Sequence, residues 1–445
     1  MIVAGGKQMM LPRPNAPNRL LRLVSGPIDA HAVAVSLALK IRSPSDRFAA
    51  AAIRVVSDCG RSGRSNTART LARADARLGT TVACVPASSR APDDPFGTGS
   101  LIDVGGLRVG HHHRIGRGWQ TGTTVILAPG GAVAAVDVRG GGPGTRETDA
   151  LDARNLVDRI HAVCLTGGSA YGLAAADGVM THLEQRALGI RVGPEPAHVV
   201  PVVPTAVIFD LGRGGRFANR PDAGFGARAA SAARTRLIPR GTVGAGAGAR
   251  SGGMQGGVGM ASVRATVAGR RLTVAALAVV NSVGSVIDPD SGLPWVPHAD
   301  LRRPSNADRR IWAAAVAPPE QPASPPLNTT IGVVATDAVL SRPEVGRFAQ
   351  SAHDGLARAI RPAHLLVDGD AIFGLSTGSV ALAESAPAFV RDPTSRTAAL
   401  NELFAAAADA FAIACTDAVL NASSVGALPA YRDLCPSAFR RALSS

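Results

Sequence analysis

The sequence has almost no lysine. Of its 445 residues only Lys7 and Lys40 are lysine, so nearly all of the 47 basic residues are arginine. Beyond Lys40 the chain therefore has no lysine for a Schiff base, for a phosphate-binding loop of the GK[ST] type or for a kinase-type ATP site. Whole classes of lysine-based chemistry are excluded from most of the chain.

Cysteines and long apolar runs are also scarce. The five cysteines are odd in number, scattered, and never form a CxxC pair. This pattern argues against a disulfide scaffold or a zinc knuckle and favours a reducing compartment, so we expect a cytoplasmic protein. No apolar run approaches the roughly 18 residues that span a bilayer, so we expect no membrane partner.

The formal charge of +14 is concentrated near the N-terminus. Residues 1–97 hold 14 basic and 6 acidic residues, a net charge of +8, and show no sustained helical or strand periodicity. We predict a basic, flexible extension there. A nucleic-acid-binding arm is the alternative, but the segment lacks interleaved aromatic residues and a recognisable binding module, so nucleic acid is not the expected partner.

The sequence of residues 98–445 predicts a single globular domain, in which glycines separate strand-like and helix-like segments. The run TTVILAPGGAVAAVDV, residues 123–138, predicts a hairpin with a Pro-Gly-Gly turn. Apolar periodicity predicts helices over 343–360 and 397–419, and a short apolar run predicts a strand over 363–367. The alternation of strands and helices predicts a layered α/β sandwich.

A Pro-rich stretch, residues 303–327, is predicted to be an irregular loop that leads into the strand-like run LNTTIGVVATDA. A chain break in such a loop would do little damage to a core. A threonine freed at a chain N-terminus can use its own α-amine, whose pKa is roughly 8, as the base for its hydroxyl. A break between Asn328 and Thr329 would therefore create a nucleophile that needs neither histidine nor lysine.

Several long strings carry a family resemblance. RGGGPGTRETD, GGSAYGL, GTVGAGAGA, VVNSVGSVIDP, NTTIGVVATDA and VDGDAIFGLSTG follow one another between about Gly99 and Leu420. In sequence and order they resemble the self-processing aminopeptidase family of the L-aminopeptidase/D-Ala-esterase/amidases, the β-aminopeptidases and the nylon-oligomer endo-hydrolases. The resemblance covers nearly the whole chain except the N-terminal extension and the Pro-rich insert.

The resemblance implies a four-layer α/β/β/α sandwich, similar to that of N-terminal-nucleophile hydrolases but with different connectivity. It also implies an inactive precursor that cuts itself between Asn328 and Thr329 by an N-to-O acyl shift followed by ester hydrolysis. The products would be an α chain, residues 98–328, and a β chain, residues 329–445, which assemble as a homo-oligomer of αβ units. The mechanism requires no metal or organic cofactor.

The same resemblance assigns supporting roles around Thr329. Tyr171 in GGSAYGL and Asn281 in VVNSVG would donate hydrogen bonds to the developing oxyanion. Asp368 and Asp370 in VDGDAIF would hold the ammonium or hydroxyl of Thr329, or orient neighbours that do. Several relatives carry lysine where this chain has Gln255, a possible supporting residue whose amide can donate a hydrogen bond but carries no charge.

The histidine triplet His111, His112 and His113 resembles part of a metal site. Consecutive residues of a strand face opposite sides, and no second cluster supplies the remaining ligands. We therefore expect these histidines to be structural and predict no metal.

We expect a hydrolase with an N-terminal threonine nucleophile, acting as an aminopeptidase on small peptides, amides or esters. One alternative is an endo-hydrolase of amide oligomers, which would share every catalytic residue and differ in the pocket. The other is an unprocessed, non-catalytic relative that serves as a binding or scaffolding protein, a possibility that Gln255 favours.

Overall fold

The computed structural model describes residues 96–267, 270–317, 327–382 and 395–440. The predicted N-terminal extension lies almost entirely outside these residues, and so does the middle of the Pro-rich stretch. The chain divides after Ala74, and every described residue belongs to the unit that begins at Asp75.

Thirteen strands and seven α-helices lie within the described residues. The strands are β1 (Arg108–Gly116), β2 (Trp119–Val138), β3 (Thr145–Arg146), β4 (Ile160–Thr166), β5 (Ile190–Arg191), β6 (Val199–Val200), β7 (Thr205–Val207), β8 (Arg250–Ser251), β9 (Met254–Gln255), β10 (Gly257–Val267), β11 (Arg270–Val280), β12 (Ile331–Ala338) and β13 (Ala371–Val380). The helices are α1 (Ser169–Gly172), α2 (Ala175–Glu184), α3 (Ala223–Ser231), α4 (Asn306–Val316), α5 (Arg342–Ala359), α6 (Arg396–Leu420) and α7 (Tyr431–Leu434).

Strand β2 connects the two β layers. Nine strands are joined in the order β10-β11-β12-β13-β2-β4-β7-β3, with β1 also paired to β2. The first half of β2 pairs with β1 and β4, and its second half, from Val133 onward, pairs with β13. One 20-residue strand therefore belongs to both layers.

The predicted hairpin over residues 123–138 is wrong. The chain does not reverse at the Pro-Gly-Gly sequence but continues as β2, and its register against β4 shifts between Leu127 and Ala132. Gly131 has a φ of 75° there. Glycine that permits a tight turn equally permits a bulge, and a bulge lets a strand change direction without ending.

The predicted four-layer α/β/β/α sandwich is confirmed. Between the two β layers, Ile126 of β2 and Leu165 of β4 share one buried cluster with Leu277 of β11 and Phe373 of β13. Helices α2 and α3 cover the outer face of the first layer, and α5 and α6 cover the outer face of the second. Each sheet thus buries both faces, which explains why strands such as β12 are apolar almost throughout.

The two long predicted helices are confirmed as α5 and α6. Helix α5 begins at a capping box in which Ser341 and Glu344 satisfy each other's backbone N–H groups. Helix α6 is long and apolar enough to cross a membrane by length and composition, but 78% of its most apolar window is buried within the fold. A core helix of a four-layer protein has the same composition, because it is apolar on more than one side.

Two other predictions are wrong. Residues 363–367, predicted to be a strand, form a turn that leads into β13. The first part of the Pro-rich stretch 303–327, predicted to be irregular, contains helix α4, because its prolines flank the helix and Ser305 caps it by accepting the N–H of Asp308. Trp312 of α4 packs into the core of the second layer.

Close contact between α5 and α6 generates a stability prediction. A Cβ atom added at Gly355 would lie 2.0 Å from the backbone oxygen of Ala408, whereas one added at Gly346 on the same helix would meet only the Ala135 Cβ at 3.9 Å. Gly355→Ala should therefore destabilise the fold by about 1–3 kcal/mol through overpacking. Gly346→Ala should be neutral or stabilise it by up to about 1 kcal/mol, as usual in a helix interior.

Thermal unfolding of the two variants beside the wild-type protein provides the measurement. An unchanged Tm for Gly355→Ala would contradict the close approach of the two helices.

Candidate functional site

The site is located where β12 begins, because β12 lies between two strands whose registers are fixed. Strand β11 runs antiparallel to β12 and pairs Val279 with Ile331, whereas β13 runs parallel to it and pairs Ala371 with Ile331. Extended by two residues, both registers place a backbone segment beside Thr329. The segment that follows β11 and the one that precedes β13 therefore converge on the Asn-Thr-Thr sequence.

Backbone hydrogen bonds hold the peptide between Asn328 and Thr329 from both sides. The N–H of Thr329 donates to the carbonyl oxygen of Asn281 at 2.5 Å. The carbonyl oxygen of Asn328 accepts the N–H of Gly369 at 3.1 Å, and it lies 2.5 Å from Oγ1 of Thr329. Thr329 is only 5% exposed. A hydroxyl is thus fixed beside a carbonyl group whose oxygen already has a hydrogen-bond donor.

Asp370 anchors the backbone immediately after the nucleophile candidate. Its Oδ1 accepts the N–H of Thr330 at 2.7 Å. Its Oδ2 lies 2.8 Å from Nδ1 of His364 and accepts the backbone N–H of the same residue at 3.2 Å. His364 is a site residue that the sequence analysis did not identify. It lies in the turn that was predicted to be a strand.

Asp368 is buried beside the same peptide. Its Oδ2 accepts the N–H of Leu365 at 2.9 Å, whereas its Oδ1 is buried and has no hydrogen-bond partner among the described residues. Burial raises the pKa of this carboxyl, and the nearby charge of Asp370 raises it further. A carboxylate with a free oxygen and a raised pKa is suited to accept a proton.

Arg213 is a site residue that no sequence motif identifies. Its Nη1 donates to Oδ1 of Asn281 at 2.5 Å, and its Nη2 donates to Oδ1 of Asn328 at 2.6 Å and to the carbonyl oxygen of Leu327 at 2.7 Å. The guanidinium therefore connects the loop after β7 to both sides of the site. No sequence signal distinguishes this arginine from the many others in the chain.

Asp210 is buried near Arg213 and joins another predicted segment to the site. Its Oδ1 accepts the N–H of Gly168, in GGSAYGL, at 2.7 Å. Burial raises the pKa of Asp210 to about 6, although the charge of Arg213 opposes the shift. Burial also lowers the pKa of Arg213 to about 10, so the guanidinium remains a cation at neutral pH.

Tyr171 lies on the short helix α1, apart from the hydrogen bonds around Thr329. Its side chain is 54% exposed, and the Arg220 guanidinium lies 3.6 Å above its ring. Among the described residues, no hydrogen bond joins Tyr171 to Thr329 or to Asn281. The side-chain amide of Asn281 donates to the carbonyl oxygen of Phe209 at 3.4 Å. The oxyanion roles of Tyr171 and Asn281 stay predictions, and the donors to the Asn328 carbonyl oxygen are the Gly369 N–H and the Thr329 hydroxyl.

Gln255 is completely buried in a ring of backbone carbonyl groups. Its Nε2 lies 3.0 Å from the oxygen of Ala249 and 3.3–3.4 Å from those of Gly246, Ala247 and Gly256. The predicted supporting residue therefore stabilises the tight turn before β8, and its polar contacts do not include Thr329.

The histidine triplet lies on β1. His111 is buried, its Nδ1 is 2.9 Å from the Thr124 hydroxyl, and burial lowers its pKa to about 3. Among the described residues, no group of three His, Cys, Asp or Glu side chains could hold a metal ion.

Comparisons with known proteins agree with this architecture. The model of Peptidase family S58 matches residues 99–430. An uncharacterized aminopeptidase of Mycobacterium tuberculosis (strain ATCC 25618 / H37Rv) is 50% identical over 352 residues, which cover 76% of this chain and 99% of the relative. A 6-aminohexanoate-oligomer endohydrolase of Kocuria sp. (strain KY2) is 33% identical over 293 residues, 63% of this chain and 76% of that protein.

Solved structures share the fold at lower identity. A Burkholderia sp. beta-aminopeptidase matches with a TM-score of 0.54 and 22% identity, over 78% of this chain and 91% of that chain. The L-aminopeptidase D-Ala-esterase/amidase of Ochrobactrum anthropi, described as a variant of the Ntn hydrolase fold, matches with a TM-score of 0.54 and 20% identity, with the same coverage. The resemblance deduced from the sequence is confirmed. The chain belongs to Peptidase family S58 and is a hydrolase of the aminopeptidase/amidase type.

Proposed function

We propose that the protein cuts itself between Asn328 and Thr329 and then uses the freed Thr329 as the nucleophile of an amidohydrolase for small peptides, amides or esters. The observation that carries the proposal is the position of the Thr329 hydroxyl, 2.5 Å from the Asn328 carbonyl oxygen, which also accepts the Gly369 N–H. The peptide to be cut occupies the position that a substrate amide would later take.

In the self-cleavage step, Oγ1 of Thr329 attacks the carbonyl carbon of Asn328. The negative charge that develops on the carbonyl oxygen is stabilised by the Gly369 N–H, a donor that is already aligned. The C–N bond then breaks, the nitrogen of Thr329 leaves as an amine after taking up a proton, and Asn328 remains as an ester on Oγ1. Water hydrolyses this ester, which frees the hydroxyl and leaves a carboxylate on Asn328.

We assign Asp368 to take the hydroxyl proton in the uncut chain, where no α-amine exists, because its backbone pairs with that of Asn328 and its neighbour Gly369 faces Oγ1 of Thr329. Its Oδ1 is buried without a partner among the described residues, and its pKa is raised by burial. After cleavage the α-amine of Thr329 takes over as base. The carbonyl oxygen of Asn281, 2.5 Å from that nitrogen, would hold the new amine in place.

Substitutions that remove or keep a hydroxyl test which threonine is the nucleophile. Thr329→Val removes the attacking group and should leave a single uncut chain, whereas Thr329→Ser keeps a hydroxyl and should still be cut. Thr330→Val is the matched control: its hydroxyl is buried without a hydrogen-bond partner in the described residues, so cutting should persist. Denaturing gel electrophoresis and intact-mass measurement report the outcome.

A cut Thr329→Val chain would contradict the assignment. An uncut Thr330→Val chain beside a cut Thr329→Val chain would move the nucleophile to Thr330.

The raised pKa of Asp368 predicts how self-cleavage depends on pH. Only the ionised carboxylate accepts a proton, so the rate of cutting should be low in acid and rise with pH through the raised pKa of Asp368. Asp368→Asn should slow cutting by about 100- to 10,000-fold, the usual contribution of a general base. The chain can be made by cell-free synthesis at low pH, shifted to a series of pH values and sampled over time.

Asp158→Asn is the control, because this side chain is 84% exposed and its ion pair is with Arg342 of α5. A rate that is independent of pH, or that Asp368→Asn leaves unchanged, would rule out Asp368 as the base.

A further inference from the structure

The uncut chain shows which groups surround the acyl side of the peptide. In the proposed function, on which this inference rests, a substrate carbonyl later takes the place of the Asn328 carbonyl. The residue of the substrate that is attacked therefore takes the place of Asn328, and any group attached to its α-nitrogen takes the place of Leu327. Side chains that contact Asn328 and Leu327 now will face the acyl part of the substrate after the cut.

Arg213 is the charged side chain in that position. Its Nη2 donates to Oδ1 of Asn328 at 2.6 Å and to the carbonyl oxygen of Leu327 at 2.7 Å. Hydrogen bonds from a charged donor are stronger than neutral ones and are strict in direction. Cleavage and departure of Asn328 would leave both acceptor positions open.

The guanidinium has supports that do not depend on Asn328. Its Nη1 donates to Oδ1 of Asn281 at 2.5 Å, and the same oxygen accepts the backbone N–H of Arg250 at 3.0 Å. The buried carboxyl of Asp210 interacts electrostatically with Arg213, and the Arg213 guanidinium carbon lies 5.5 Å from the centre of the Phe209 ring. Arg213 is therefore held in place by groups other than Asn328.

We propose that Arg213 determines acyl specificity by selecting substrates whose attacked residue carries an oxygen acceptor in its side chain, a carboxamide or a carboxylate. Such a side chain would restore the hydrogen bond that Asn328 makes in the uncut protein. An aliphatic side chain of the same size would leave a half-buried guanidinium N–H without this partner, and a site that hydrogen-bonds a substrate group discriminates against analogues that lack the group. A cationic side chain would face repulsion from both Arg213 and nearby Arg250.

The sharpest test compares the p-nitroanilides of asparagine and leucine, whose side chains are nearly isosteric. The p-nitroanilides of aspartate and lysine are measured beside them. The wild-type enzyme should have a kcat/KM for the asparagine anilide about 10- to 100-fold above that for the leucine anilide, as expected for a charged hydrogen bond. The kcat/KM for the aspartate anilide should be close to that for the asparagine anilide, and the kcat/KM for the lysine anilide should be the lowest of the four.

Two substitutions should change this order. Arg213→Gln should reduce the asparagine-to-leucine ratio of kcat/KM to within about 3-fold, because the loss should fall on the asparagine anilide far more than on the leucine anilide. Arg213→Lys keeps the charge but not the planar fork, so it should keep the preference for aspartate over leucine and lose most of the preference for asparagine. Arg216→Gln, the same charge change on an exposed side chain of the same loop, is the control.

Each rate is divided by the amount of the fragment that begins at Thr329, measured by intact mass. If Arg213→Gln lowers kcat/KM equally for the asparagine and leucine anilides, Arg213 only positions Asn281. If it raises kcat/KM equally for both, Arg213 in the wild-type protein retains the cut end at Asn328. Either result overturns the inference, and so does a wild-type enzyme that does not prefer asparagine. A chain that is never cut overturns the proposed function as well, so the two failures are distinguishable.

Discussion

The register of β12 between its two neighbours is the constraint on which the site depends. The main chain of Thr329 is held by the carbonyl of Asn281 on one side and follows the Asn328–Gly369 hydrogen bond on the other. Both contacts continue the pairing of β12 with β11 and β13. A shift of one residue in either pairing would turn the Thr329 hydroxyl to the opposite face of the sheet. The nucleophile candidate is thus placed by the sheet as a whole and not by a local turn.

The same constraint explains how a cut chain would remain one protein. Strand β12 starts two residues after the proposed break and stays paired on both sides, and Val333 lies in the core between the layers. Helices α5 and α6, which also follow the break, cover the second layer. Separating the two pieces would expose most of this core to water, and the hydrophobic effect opposes that strongly.

Two opposite charges lie near the break, the buried carboxyl of Asp210 and the half-buried guanidinium of Arg213. Asp210 has a pKa raised to about 6 and Arg213 a pKa lowered to about 10, both by burial. The charge of each group opposes the pKa shift that burial causes in the other, so each stabilises the charged form of its partner. Removing Arg213 would raise the pKa of Asp210 further, because the guanidinium charge opposes the effect of burial. This mutual dependence explains why one arginine can be held firmly while its hydrogen-bond donors face the acyl side of the cleavage site.

Much of the fold was predictable because it follows local rules. Helices α5 and α6 lie where apolar periodicity predicts them, although the second half of α6 is buried on more than one face. The Pro-Gly-Gly segment was misinterpreted, because a glycine with positive φ serves a bulge as well as a turn, and only the pairing with β4 decides between them. The segments that resemble the family identify Thr329, Asn281, Asp368 and Asp370 as candidate site residues, and the structure brings the backbones of these residues together.

Arg213 and His364 could not be found in the same way. Arg213 contacts Asn281 and Asn328 across 68 and 115 residues of sequence, and a chain whose cations are nearly all arginine gives no local signal for this one. His364 lies in a turn whose apolar residues resemble a strand, and its contact with Asp370 depends on a positive φ of 59°. Contacts of this kind depend on the tertiary fold.

The central claim is that the protein becomes two chains with Thr329 at the start of the second. Intact-mass measurement and N-terminal sequencing of the purified wild-type protein test it most directly. The account predicts a smaller fragment whose first residue is Thr329 and whose mass corresponds to residues 329–445, together with a larger fragment that ends at Asn328. A single chain that stays intact after long incubation, or a fragment that begins at another residue, would contradict it.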